Sequence, residues 1–203
     1  MSASSGTSAG KGTANAAARR MARMRQANAV LSAVMLALFL LHGVGNAFEL
    51  MLVGGPTSKG LAHALLALAV VHAALGVVLT VETVKAQRQA GTSYVRLNSR
   101  FWAVRASGAA IAIFIAFHMM TFLQVSSGGP YRLREFGAFE LATNVGLVLS
   151  MAIHVLANVR PLAVSLGIAA PRSRAADLAL VLSMLLLLMA VSFVVYFVYW
   201  SVV

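Results

Sequence analysis

The chain contains no cysteine. It can therefore hold no disulfide, no Cys-ligated zinc, no iron–sulfur cluster of its own and no covalently attached c-type haem. Charge is scarce as well: 10% of residues are Asp, Glu, Lys or Arg, against about 25% in soluble domains. Acidic residues are scarcest, five against 16 basic ones, for a net charge of +11. The only lysines are Lys11, Lys59 and Lys85. None lies in the middle of an apolar run, so a retinal Schiff base is excluded. What the sequence has in abundance is apolar surface: 60% of its 203 residues are hydrophobic, where soluble domains carry about 45–50%. That excludes both a soluble globular domain and a disordered chain.

Five apolar stretches, at 27–53, 61–84, 101–125, 138–159 and 178–203, each supply the ~20 residues that carry a helix across ~30 Å of hydrocarbon. The expected fold is all-α, an integral membrane bundle of five transmembrane helices. Arg19, Arg20, Arg23 and Arg25 precede the first stretch. Its apolar run exceeds the roughly 7–15 residues of a signal peptide's core, so it reads as a retained helix. Residues 2–18 are Ser, Gly, Ala and Thr with one Lys and Asn. They show no apolar period, and 1–26 reads as a flexible basic tail ahead of a membrane domain at 27–203. Ser126 to Pro130 form a turn signal, and no internal repeat is visible.

The basic residues set the expected orientation. Thirteen fall in the tail or in and beside the second and fourth connections: Lys11, Arg19, Arg20, Arg23, Arg25, Lys85, Arg88, Arg96, Arg100, Arg105, Arg160, Arg172 and Arg174. Three fall on the other side: Lys59, Arg132 and Arg134. The positive-inside rule then places the N-terminus in the cytoplasm and the C-terminus outside a cytoplasmic (inner) membrane. Basic loops of this kind contact anionic lipid, and no motif or aromatic context points to nucleic acid.

Five histidines carry the chemistry. His42 lies in the first stretch, His63 and His72 in the second, His118 in the third and His154 in the fourth. Ionisable residues within a bilayer are costly and are usually functional. With the outward-running helices starting near Ala22 and Asn98, His42 and His118 both lie 20 residues in, about 30 Å along. His72 and His154 each stand 13 residues before an inner helix end, at Lys85 and Gly167, or about 20 Å from it. Two pairs at two depths result, His42 with His118 and His72 with His154. The second match requires the fourth helix to run past Pro161. His63 is nine residues from His72, about half a turn out of phase, and is assigned an interfacial or structural role. Two bis-histidine pairs suit two b-type haems, each iron held on both faces and left without an open position. Copper or zinc would need further ligands, which the sequence does not offer.

Local strings accompany the histidines. The third stretch reads Phe101-Trp102, then Arg105, Ser107 and Gly108, with His118 ten residues beyond. The fourth reads His154, then Arg160-Pro161-Leu162-Ala163-Val164 and Gly167; the second holds Val71-His72-Ala73 ahead of a basic exit. Over about residues 27–203 the chain resembles the single-chain, five-helix dihaem cytochrome b anchor subunit of succinate dehydrogenases and fumarate reductases. That family carries one haem-ligating histidine on each of its first four helices and none on the fifth.

The resemblance implies that His42 and His118 ligate an outer haem and His72 and His154 an inner one. It implies electron passage between a membrane quinone, menaquinone above all, and a flavoprotein and an iron–sulfur subunit docked on the cytoplasmic face. The chain would then be a subunit of a quinone-linked enzyme without itself binding the dicarboxylate. One departure stands out: Ala152 occupies the place, two residues before the fourth-helix histidine, where some proton-coupled members carry a glutamate. A proton path through that carboxylate is therefore not expected. Two rival functions fit the histidines: an anchor for a different flavin reductase, and a haem-free transporter whose histidines relay protons.

Other polar residues complete the expected site. His42, Asn46 and Glu49 follow i, i+4, i+7 spacing and share one helix face. Glu49 is either the acceptor for protons released by a quinol or a helix-end carboxylate standing in solvent. Arg105 and Arg160 either meet haem propionates or snorkel to headgroups. Trp102, Trp200, Tyr196 and Tyr199 are expected in the interfacial belt. The many glycines and alanines allow close helix packing or the entry of a flat cofactor.

Overall fold

The computed structural model describes residues 6–51, 59–91, 98–122, 136–168 and 172–202, without the side chains of 6–14, 172 and 200–202. The Ser126–Pro130 turn signal, Arg96, Arg132 and Arg134 lie outside the described residues, as does the Trp200 side chain. Five helices follow in chain order: α1 Gly6–Leu50, α2 Lys59–Gln89, α3 Ser99–Phe122, α4 Ala138–Ser165 and α5 Arg172–Val202. Each contains a stretch long and apolar enough to cross a membrane. Even the shortest, 24 residues, spans about 36 Å, more than the ~30 Å of hydrocarbon.

The bundle is built for an apolar solvent. Large aliphatic side chains point outward, among them Leu41, Val70, Val77, Ile113, Leu180 and Leu187, while Ser107, Asn144, Ser150 and Ser192 are buried. This inverts the pattern of a soluble protein, because lipid competes with the interior for apolar groups but not for polar ones. Buried hydroxyls are satisfied locally. Ser150 Oγ donates to the Gly146 carbonyl at 2.8 Å and Ser192 Oγ to the Met189 carbonyl at 2.8 Å.

Helices consecutive in the chain run in opposite directions. Phe117 near the end of α3 meets Phe139 at the start of α4, and Phe136, just ahead of α4, meets Tyr196 near the end of α5. The pairs that pack along a face are α3 with α4, α4 with α5, and α1 with α2, α5 and α4. Gly146 permits the α3–α4 approach, since a Cβ there would stand 2.8 Å from the Phe114 ring. The apolar core gathers Leu50, Phe136, Val148, Leu186, Met189, Phe193 and Tyr196. Tyr196 is thus a core residue and not part of an interfacial belt; Tyr199 and Trp102 are exposed. Among the helix pairs that do not pack along a face are α1 with α3, α2 with α3 and α2 with α4. A seam therefore runs between the α1–α2 and α3–α4 hairpins, closed where α1 meets α4.

Two of the helix ends that depart from the apolar stretches bear on the site. α1 begins at Gly6, so residues 6–18 are helical and not an unstructured tail. The run of Ala, Arg, Met and Gln from Ala16 to Ala27 favours helix strongly, and no proline interrupts it. α4 passes through Pro161 and ends at Ser165, beyond the expected 159. Gly167 then turns the chain at φ 76°, with Ile168 N donating to the Ala163 carbonyl at 3.0 Å, the usual glycine stop. Pro161 has no N–H for the Ala157 carbonyl four residues back. Arg100 Nε donates to that carbonyl from α3 at 2.9 Å.

That replacement can be tested by a double-mutant cycle in thermal or denaturant unfolding. Arg100→Ala is expected to cost about 1 kcal/mol, the net worth of one hydrogen bond. In a Pro161→Ala background, where the helix supplies its own N–H, the same change should cost measurably less. Equal costs in the two backgrounds would show that Arg100 does not stand in for the missing donor.

Candidate functional site

The seam is crossed by histidines. The rings of His42 (α1) and His118 (α3) lie with centroids 6.3 Å apart and planes at 79°. The rings of His72 (α2) and His154 (α4) lie 6.2 Å apart at 85°. These are the pairs that equal depth along the helices predicts, and they bridge two helix combinations that do not pack along a face. Because Ser32 on α1 is level with His72 and His42 is ten residues further on, the pairs are separated by about 15 Å along the bundle. His63 is exposed and joins neither pair.

All four rings lie at least half-way out of solvent, and every hydrogen bond described for them uses Nδ1. His118 Nδ1 lies 2.8 Å from Asn144 Oδ1. The Asn144 Nδ2 is committed to the Glu140 carbonyl at 2.7 Å, so Oδ1 accepts and His118 carries its proton on Nδ1. His154 Nδ1 lies 3.1 Å from the Val104 carbonyl and 3.3 Å from Ser107 Oγ, whose own proton goes to Val104. His72 Nδ1 lies 3.4 Å from Ser32 Oγ, which donates to the Asn28 carbonyl at 2.7 Å. In these three rings the proton is held on Nδ1 and the Nε2 lone pair is left for another partner. At the fourth, the Asn46 amide nitrogen sits 3.2 Å from His42 Nδ1 and donates to the His42 carbonyl at 2.5 Å. With both contacts made by the amide nitrogen, His42 Nδ1 is the acceptor, so this ring differs from the other three.

The spacing fits a metal between each pair. Two imidazoles bound through Nε2 on opposite sides of one ion, with bonds of about 2.0 Å and each ring centre about 1.1 Å behind its nitrogen, have centroids about 6.2 Å apart. A ligating histidine also needs its other ring nitrogen engaged, as these are. Among the described residues no group of three or more His, Cys, Asp or Glu converges. A flat macrocycle that brings its own ligands would ask two of the protein, the number that each pair offers. Gly108 faces the His154 ring at 3.4 Å from where a Cβ would stand, so a larger residue would press on that ring.

Other expected residues distribute unevenly. Arg105 is half-buried beside the His72/His154 pair: its Nε donates to Thr80 Oγ1 at 3.1 Å, and its guanidinium carbon lies 4.1 Å over the Phe101 ring. It ties α3 to α2 across the seam. Arg160 is exposed and does not gather with it. Glu49, in the last turn of α1, is 7% exposed. A carboxylate standing freely in solvent is thus not what the fold presents. It lies seven residues beyond His42, about 10 Å along the helix. Reasoning from sequence overlooked the four residues that address Nδ1 of the other rings or share that contact: Ser32, Ser107, Val104 through its carbonyl, and Asn144. Asn144 carried a signal, since an asparagine in an apolar stretch needs a partner within the bundle. No family model, curated protein or solved structure matches the chain.

Proposed function

We propose that this chain is a dihaem cytochrome b that anchors a flavin and iron–sulfur enzyme to a cytoplasmic membrane and passes electrons between it and membrane quinone. The observation that carries the reading is the pair of two-histidine bridges across the seam, at 6.3 and 6.2 Å, with Nδ1 engaged on the far side of each ring. Bound there, b-type haem would supply a one-electron iron couple.

The chain's own residues divide the remaining work. His42 and His118 hold one iron, His72 and His154 the other. Asn144, Ser32, Ser107 and the Val104 carbonyl fix ring tautomer and orientation. Arg105 stands where a propionate would find a positive charge beside the His72/His154 pair, and would exchange Thr80 for it. Glu49, buried beyond His42 on the same helix, takes the proton that a quinol sheds when it loses an electron to the nearer site. Menaquinone is the quinone we favour. The end of the bundle bearing Arg19, Arg20, Arg23, Arg25, Lys85, Arg88 and Arg100 faces the cytoplasm and receives the flavoprotein and iron–sulfur subunits. Succinate oxidation or fumarate reduction is the reaction class that such partners would carry out.

The deciding experiment is an optical spectrum of the purified chain followed by co-purification with partner subunits and a succinate or fumarate assay. Sharp reduced bands of bis-histidine haem and a co-purifying dicarboxylate activity are expected. Absence of haem would point to a proton-relaying transporter, and haem with no dicarboxylate activity would point to another flavin reductase.

Three outcomes follow from the assignment. His42→Ala and His118→Ala should each remove one haem and keep the other, whereas His63→Ala should keep both; haem quantitation checks this, and two haems in His42→Ala would break the pairing. A reporter fused at Val203 should be active only outside the cytoplasm, and a cytoplasmic signal would reverse the docking face. Glu49→Gln should retain both haems yet slow quinol-linked turnover by about 10²-fold, the lower end of what a base contributes, because water can partly replace it. Electron delivery to the soluble subunits from an artificial donor should survive that substitution, while unchanged quinol turnover would place the proton acceptor elsewhere.

A further inference from the structure

Asn144 is 0% exposed, in the second turn of α4. Its Nδ2 donates to the Glu140 carbonyl one turn back at 2.7 Å. Glu140 is itself anchored, because its Oε2 accepts the Gly137 N–H at 2.9 Å. The amide is thus fixed at both ends, and its oxygen faces His118 Nδ1 at 2.8 Å. This is the shortest Nδ1 contact of the four rings; the others run from 3.1 to 3.4 Å. At His72 the acceptor is a serine hydroxyl already spent as a donor. An asparagine oxygen is the stronger acceptor, and in a dry, low-dielectric setting the difference is amplified.

We propose that Asn144 is a positioning residue that sets the electron affinity of the His42/His118 site through the Nδ1–H of His118. The inference rests on iron being held at that pair. An imidazole that gives its Nδ1 proton to a strong acceptor becomes a more basic ligand at Nε2. A more basic ligand favours the more positive, ferric state and lowers the reduction potential. Asn144 therefore tunes one site and leaves the other, about 15 Å away along the bundle, unaffected.

The test is a spectroelectrochemical titration of the purified full chain as wild type, Asn144→Leu and Asn144→Asp. The wave belonging to the His42/His118 site is identified by its loss in His42→Ala. Asn144→Leu removes the acceptor and should raise that wave by up to about tenfold in the reduction equilibrium, about 59 mV for one electron. Asn144→Asp keeps the shape, strengthens the acceptor and should lower the same wave. The second wave should stay in place in both variants. Shifts in one common direction, equal movement of both waves, or no movement with both haems retained would each overturn the proposal. If Asn144→Leu fails to hold haem, Asn144→Asp decides alone: a fall in the single wave supports the role, and an unmoved wave ends it. A wild-type chain without haem overturns the parent reading along with this one, and is told apart by the absence of any wave.

Discussion

Everything in this molecule depends on the rule that a polar group surrounded by hydrocarbon must find its partner inside the protein. The backbone meets the rule by forming helices. The side chains meet it by turning inward: Ser150, Ser192, Thr143 and Asn158 each donate to a carbonyl three or four residues back. The exceptional case is Ala157, whose carbonyl loses its helical donor to Pro161 and takes Arg100 from the neighbouring helix. The four paired histidines obey the same rule through Nδ1. At His72, His118 and His154 that nitrogen faces an acceptor, which leaves the second nitrogen of those rings with the available lone pair.

The seam gives that lone pair its meaning. In an ordinary bundle, helices that face one another close up through small residues until backbones nearly touch, as α3 and α4 do at Gly146. Between α1 and α3, and between α2 and α4, that closure does not happen; imidazole rings stand there instead, nearly perpendicular in each pair. Arg105 spans the same seam towards Thr80. The polar groups that reach across it are thus basic or neutral donors, well matched to a flat guest with a carboxylate edge.

Much of this was readable beforehand because it depends on length, period and depth. Five apolar runs gave five helices, and counting residues from the helix ends placed His42 opposite His118 and His72 opposite His154. The α4 boundary was harder to place, since Pro161 signals a stop unless one knows that Arg100 compensates. Residues 6–18 were misjudged because Gly and Ser were weighed above the Ala and Arg that follow and carry the helix back through them. Tyr196 was misplaced for a related reason: an aromatic near a chain end suggests an interface, but Phe136 and Phe193 pack on it. Asn144 could be marked as needing a partner but not matched to His118, and Ser32 and Ser107 carry no local mark, because all three lie far from their histidines in sequence.

The seam also orders the making of the protein. Each ring pair joins helices that are not consecutive, so neither exists in the hairpin formed by α1 and α2. Synthesis of α3 supplies His118, the counterpart of His42, while His72 still lacks its own. Only α4 supplies His154. α5 contributes no histidine and packs on α1 and α4. The order of helices along the chain is therefore also the order in which each ring's counterpart becomes available.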